Sequence, residues 1–287
     1  MKLIYTLFLS LVFLNGYGQI VKKYEPAILE VTYNKHVVKD TLKPDEYFFD
    51  TEMVLRMGRT ASIWVSPLKL WADSLRVNNF NLHEQLYYEQ NPIGSTEYKP
   101  LGGFEREYLF KNMPTGQNTV YQGFDLGQWI YSEEIETQSW SYLDSISVIL
   151  GYECYLAECV FRGRRWYAWY TLDIPIPDGP WKLGGLPGLI LDAYDSKQHY
   201  RFTAKGMTSK GLGDVGIYIY KVNSPKMLTR EEYLIKRYNY ITSEESLGDK
   251  LNASGAFGLT PTKSKGKRER KEKYDFEEVD YRHPSKK

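Results

Sequence analysis

Apolar and polar positions alternate along most of this chain with a period near two, the pattern of strands lying against a core. The alternation is loose at 31–38, which reads as a first strand, and 47–57 and 61–65 follow as two more. From Arg106 it strengthens, and 107–112, 119–124, 128–139, 147–161 and 165–172 all read as strands. Turn residues punctuate these runs every 8 to 14 positions, as in an antiparallel meander. A hairpin at 189–195 and 199–205 around Ser196-Lys197-Gln198 follows, and then a shorter strand at 216–222.

Three stretches depart from that period. Ser66-Pro67 opens a helix, with Ser66 placed to cap it and Pro67 in the first turn, where a missing N–H costs nothing. Leu68, Trp71, Ala72 and Leu75 then form one apolar stripe that should face a core. Residues 82–89 carry another helical turn or two, stopped by Asn91-Pro92. Thr229-Arg230-Glu231-Glu232 spells a capping box, so a helix should run on to about Tyr240. Together the elements predict a mainly β fold (β-rich α+β). Its expected form is a curved antiparallel sheet or open half-barrel, with a Pro/Gly loop packed on it and two or three short helices.

The most informative stretch is 151–195. Arg162-Gly163 sits between two β-prone runs, where glycine supplies the positive φ of a tight hairpin pairing 152–161 with 165–173. Trp166, Ala168 and Tyr170 share one face of the returning strand, and Tyr167, Trp169 and Thr171 the other, so both faces should be at least partly covered. Leu186-Pro187-Gly188-Leu189 fits a type II turn, with Gly188 giving positive φ at the third position. Pro175, Pro177, Gly179-Pro180 and Gly184-Gly185 bend or stiffen the approach. Two roles suit this loop: a plug over the mouth of the sheet, or a pocket lip holding a ligand or partner chain. On the second reading the candidate binding residues are Trp166, Trp169, Tyr170, Trp181, Leu186 and Pro187. The structural turn positions are Gly163, Gly179, Pro180, Gly185, Pro187 and Gly188.

Gly185 to Ile190 reads Gly-Leu-Pro-Gly-Leu-Ile, and around it stand Gly151-Tyr152, Cys154, Ala157, Phe161-Arg162-Gly163-Arg164, Ala168-Trp169-Tyr170, Ile174-Pro175 and Gly179-Pro180. At this spacing the segment resembles the GLPGLI family. The resemblance implies a β-rich exported protein of the Bacteroidota, of a family without an assigned activity, and it transfers no catalytic residues. It is dense from about Tyr142 to Tyr200. Leu156 stands where the family often has lysine, Cys159 is an extra cysteine, and Trp181-Lys182-Leu183 replaces a more usual aromatic-Lys-Phe run.

Composition narrows the function further. Lys and Arg number 37 against 36 acids, a net charge of +1, which argues against a nucleic-acid partner. Aromatics reach 15%, with 25 tyrosines, a content suited to strands and to surfaces that grip ligands. Met1-Lys2, an apolar run from Leu3 to Leu14 and small residues before Gln19 describe a signal peptide over 1–18. The run is too short to span a bilayer, and no second one of spanning length appears, so a periplasmic or extracellular protein is expected. Residues 19–254 should form a single β-rich domain. Residues 255–287 read as a disordered basic and mixed-charge tail, whose 263–273 run offers peripheral contact with an anionic membrane. Cys154 and Cys159, five apart on one strand, should lie on opposite faces and not bond to each other.

Hydrolase elbows, zinc-binding His-Glu pairs and phosphate-cradling loops are missing from the sequence, so neither a metal nor a cofactor is expected. Glu153, Glu158, Asp173 and Asp178 lie on or beside the hairpin, and Asp173 with Asp178 could in principle reach the separation that glycoside hydrolysis needs. Arg162, Arg164 and Arg165 suit either an anion clamp or a solvated turn, and the turn is favoured. The favoured function is a non-enzymatic cell-envelope protein binding an apolar ligand or an extended partner segment. The alternatives are an assembly component of an outer-membrane system and a hydrolase using Asp173 and Asp178.

Overall fold

The computed structural model describes residues 20–92, 99–124, 127–219, 225–242 and 275–281. The expected signal peptide at 1–18 and the basic run at 263–273 lie outside them. Fourteen strands are described: β1 Ile20–Pro26, β2 Leu29–Val38, β3 Phe48–Met57, β4 Ser62–Val65, β5 Glu107–Lys111, β6 Gln117–Phe124, β7 Gly127–Glu134, β8 Ser141–Ile149, β9 Tyr152–Phe161, β10 Arg164–Thr171, β11 Leu189–Asp195, β12 Tyr200–Thr208, β13 Asp214–Ile219 and β14 Lys226–Met227. Three helices accompany them: α1 Pro67–Asn78, α2 Phe80–Gln90 and α3 Arg230–Thr242. The fold is mainly β, and its large sheet is not closed into a barrel.

That sheet has twelve strands in the order β14-β7-β6-β5-β4-β3-β2-β12-β11-β10-β9-β8. Two antiparallel meanders are joined where β2 pairs with β12. The order forces curvature. In a flat sheet β7 and β8 would stand ten strand spacings apart, about 48 Å at about 4.8 Å each. Yet only residues 135–140 join them, a chain that reaches at most about 25 Å. The two flanks must therefore curl toward each other. The Arg162–Glu133 ion pair at 2.7 Å, between the β9–β10 turn and β7, records that approach.

The concave interior is aromatic. Trp64 lies between Tyr33 and Phe202, and Trp166 lies between Phe202 and Trp181, with ring centroids 5.5 to 5.9 Å apart. A second cluster, with Val54, Ile63, Val65, Leu70 and Tyr108, lies on the other face of β3–β5. This explains why all four residues of β4 are buried and why its sequence does not alternate.

The structure corrects several expectations. The strand read at 147–161 is two strands, broken by Leu150-Gly151, whose φ values of 53° and 84° make a two-residue hairpin. On α1, Leu68 and Trp71 are exposed, and the buried side chains are Leu70, Ala72 and Val77. The helix meets α2 and β13, which lie off the expected stripe. Ser66 makes no side-chain cap bond. Cys154 and Cys159 are free, and both enter the interior cluster. The burial alternation slips at Tyr155-Leu156, opposite a bulge in β8, and this brings both to one core. Gly188 does not take the positive φ of a type II turn; Gly185 does, at 79°. A Cβ on Gly188 would collide with the Thr171 carbonyl, so close approach is what calls for glycine there. Finally, residues 275–281 of the expected tail are seated on the fold, with Phe276, Glu277 and Glu278 buried.

Candidate functional site

The Pro/Gly loop between β10 and β11 is fastened to the sheet by polar groups rather than by secondary structure. Lys111 of β5 pairs with Asp178 and donates to the carbonyls of Gly179, at 2.9 Å, and Leu183, at 2.8 Å. Ser62 Oγ donates to the other Asp178 oxygen at 2.6 Å. From the β7–β8 linker, Gln138 bridges Gly184 N and Lys182 O, and the Trp140 indole donates to Gly184 O. Leu183 and Leu186 are fully buried, and the loop turns Trp181 inward at a φ of 51°. A cleft of about 390 Å³ remains between this loop and the β3–β4 and β5–β6 turns, and the buried Asn118 Oδ1 on its wall has no partner among the described residues.

This arrangement gives Asp178 a structural task. Both its oxygens and all three Lys111 protons are committed to holding the loop. Asp173 is exposed and does not line the cleft that Asp178 lines. The two are not brought together in one cleft.

Residues 275–281 occupy a groove whose walls come largely from the signature region. Arg164 is 6% exposed, far from a solvated turn. Its guanidinium donates to the Phe276 carbonyl, pairs with Asp195 at 2.9 Å and reaches Asp275 at 2.8 Å. The Arg162 carbonyl accepts the Val279 amide at 3.0 Å. Lys182 donates to the Tyr131 hydroxyl at 2.9 Å and pairs with Glu133 and Glu278. From α3, Arg230 binds Glu278 and Asp280, and Arg237 holds Glu277 at 2.9 Å. Tyr200 donates to the Asp275 carbonyl, His199 pairs with the Asp275 side chain, and the Phe276 ring meets Tyr238.

The electrostatics follow from that crowding. Burial alone would raise the Glu277 carboxyl, but Arg237 and Lys35 outweigh it and hold it far below the usual carboxylate range. Glu278 is likewise lowered, with Lys182 and Arg230 overcoming burial. Asp275 and Asp280 are lowered against the same opposition, chiefly by His199 and Arg230. The segment is therefore held as four charged carboxylates. Arg162 and Arg164 act as an anion clamp, while Arg165 is exposed and, among the described residues, pairs with Glu158.

The six predicted binding residues are not gathered on one surface. Trp166, Tyr170, Trp181 and Leu186 are interior, Trp169 is half-buried on the opposite face of β10, and Pro187 is exposed. None of them lines the loop cleft. Of the turn positions, Gly163 and Gly185 take positive φ, and Gly179 sits against the Ile190 side chain. The residues that sequence reasoning missed are Lys182, which carries no local signal, and 275–281, whose signal was the interleaving of acids with Phe276, Val279 and Tyr281 after a basic run.

Residues 157–192, from mid-β9 to β11, match the model of a family described as "Protein of unknown function (Porph_ging)". That span contains Arg162, Gly163, Arg164 and Lys182. No curated protein matches the chain. Two solved structures of PNGF-II are similar to it. The one in space group P21 has a TM-score of 0.44 at 14% identity, covering 75% of this chain and 33% of that one. The one in space group C2 has a TM-score of 0.42 at 12% identity, covering 75% and 32%. The chain spans about a third of the length of those structures.

Proposed function

We propose that this chain is an exported, non-catalytic protein of the cell envelope that recognises an extended acidic segment through its hairpin turn and Pro/Gly loop. One observation carries the reading: residues 275–281 are held by main-chain bonds to Arg162, Arg164 and Tyr200 as well as by paired acids. Arginine clusters that read acidic motifs, combined with main-chain capture, form a recurring peptide-recognition mode. The chain's own segment fills the groove and stands for the class of partner it accepts. Export rests on the pattern of residues 1–18.

The test is a labelled peptide of sequence Asp-Phe-Glu-Glu-Val-Asp-Tyr added to a full-length Glu277→Gln/Glu278→Gln variant. Saturable binding to the variant, with little to the native chain and none of a scrambled peptide, supports the reading. No saturable binding to the variant removes it. Export is checked separately by fractionation, and retention in the cytoplasm counts against it.

A second reading, an assembly component, is favoured by β8. It is the last strand of the sheet, it carries Asp144 as its single charge, and Tyr142, Ile146 and Val148 are 63–71% exposed along it. Exposed apolar edges of this kind add strands from partners. A Val148→Lys substitution that leaves outer-membrane association unchanged would dismiss it.

A further inference from the structure

The cleft beside the Pro/Gly loop, at about 390 Å³, falls within the usual span of small-molecule sites. It rests on a row of cross-strand neighbours. Ser62 of β4 stands opposite Lys111 of β5, Lys111 opposite Asn118 of β6, and Asn118 opposite Glu133 of β7. Residues so paired share one face of a sheet. Three of the four are engaged. Ser62 and Lys111 hold Asp178, and Lys111 gives its other two protons to the Gly179 and Leu183 carbonyls. Glu133 faces Lys182 and Arg162. Asn118 lines the cleft at 5% exposure, and among the described residues no hydrogen bond reaches its Oδ1.

A buried acceptor left unmet costs free energy, and in a row otherwise fully paired it calls for a partner from outside the chain. The torsion that turns a carboxamide is broad, so Asn118 can present Oδ1 to the cleft without a shift of β6. The rest of the lining narrows the kind of partner. Lys111 is paired with Asp178, Lys182 with Glu133 and Glu278, and Glu136 with Arg162 at 3.0 Å. Arg59 is exposed at the mouth. A charged ligand would have to disturb those pairs or give up its own hydration, and a neutral one does neither. Met57 and Leu183 are buried in the wall, Ile176 is half-buried and Ile135 is exposed, so apolar surface stands beside the carboxamide. A carboxamide offers an acceptor and a donor side by side. The edge that meets both belongs to another amide with its N–H and C=O on the same side, as in a primary carboxamide or a lactam ring.

We infer that the loop cleft binds a neutral molecule through such an amide edge, paired with the Asn118 carboxamide, its apolar part lying on Ile135, Ile176 and Leu183. Asn118 holds no part of 275–281, so this site and the acidic groove stand or fall separately.

Titration of the full-length protein, followed by ligand-observed NMR, tests this with pentanamide, δ-valerolactam, N,N-dimethylpentanamide, pentanoate and pentylammonium. One saturable site is expected for pentanamide or the lactam, and the tighter of the two tells an open-chain side-chain amide from a ring. N,N-dimethylpentanamide should bind at least about tenfold more weakly than pentanamide, because a site built on a hydrogen bond rejects the analogue that lacks it. Neither ion should bind better than that analogue. Asn118→Leu exchanges an unmet polar group for an apolar one of similar volume, so it should keep or raise the melting temperature while amide binding falls by about the same factor. Ile135→Asp, at an exposed position, should weaken the amides too, and it serves where Asn118→Leu does not fold. The inference is overturned if neither amide saturates, or if N,N-dimethylpentanamide binds as tightly as pentanamide. Amide binding unchanged in folded Asn118→Leu or in Ile135→Asp overturns it as well, and so does a crystal soaked in pentanamide that shows water alone at Asn118. None of these outcomes bears on the peptide experiment, whose substitutions lie at Glu277 and Glu278.

Discussion

Lys182 of the Pro/Gly loop and Glu278 of the C-terminal segment, 96 positions apart, form an ion pair that water scarcely reaches, their side chains being 1% and 6% exposed. Removing one partner of such a pair leaves a buried charge uncompensated, typically at a cost of 3–5 kcal/mol. Lys182→Met should therefore destabilise the protein by about 3 kcal/mol in urea unfolding. Arg230 still faces Glu278 and limits the loss. Glu278→Met should cost a similar amount, and the double substitution less than the sum. Additive effects would mean that the two side chains are not coupled.

Gly163 serves the turn and the groove together. Its φ of 78° disfavours any side chain, and a Cβ there would lie 2.7 Å from the Val279 side chain and 3.1 Å from Asp280 N. Gly151 has nearly the same conformation, φ 84°, but open space around it. Gly151→Ala should thus cost about 1–2 kcal/mol, the backbone part alone. Gly163→Ala should cost more and should also expose 275–281 to protease. Equal costs, with 275–281 protected in both variants, would show that the segment does not press on the turn.

Acid should release the segment. Asp275, Glu277, Glu278 and Asp280 all have lowered proton affinity when folded, against ordinary values of 3.8 and 4.5. In the window below about 4.5 the unfolded or released segment binds more protons than the seated one. Their stabilisation is therefore complete above that window and is lost as pH falls through the lowered values. The protection factor of the Val279 amide, bonded to the Arg162 carbonyl, taken against the free peptide at the same pH, should hold from pH 8 to 5 and fall steeply toward pH 3. Protection that persists to pH 3 would contradict the charge account.

How much of this was legible in the residues depends on the range of the forces involved. Alternation and capping are local, so β2 through β7, the β9–β10 hairpin and the Thr229 box with its Glu232 bond at 2.8 Å were readable. Gly163 was readable for the same reason. Gly188 was not, because its requirement comes from the Thr171 carbonyl seventeen positions back, a contact only the folded loop creates. The α1 stripe failed because α2 and β13 decide which face is buried. The groove was the least legible part. Its cations sit on β2, the β9–β10 turn, the loop and α3, and nothing local distinguishes Lys182 from a solvated lysine. The tail looked too charged to order, but its acids have buried partners, which composition does not register.

That difference bears directly on the loop. Gly188→Ala forces backbone against backbone, with no flexible side chain able to yield, so it should destabilise by about 3 kcal/mol or more, or prevent folding. Gly185→Ala meets no atom within 4 Å and pays only for its φ of 79°, about 1–2 kcal/mol. A type II turn at Pro187-Gly188, with positive φ and no clash, would bring the two costs level, so unfolding measurements on the two variants discriminate the two descriptions.

The cysteines give a last check on the interior. Burial pushes the Cys154 thiol up to about 11 and the Cys159 thiol up to about 12. The thiolate is the reactive form, and at pH 8 it is scarce at both positions, besides being enclosed. Maleimide should therefore label the native protein only slowly, and label both sites promptly in urea. If the slip at Tyr155-Leu156 did not occur, one of the two would face the outer side of β9 and react at once without denaturant. A single fast equivalent would thus restore strict alternation along β9, and none would establish that both sulfurs share the aromatic core.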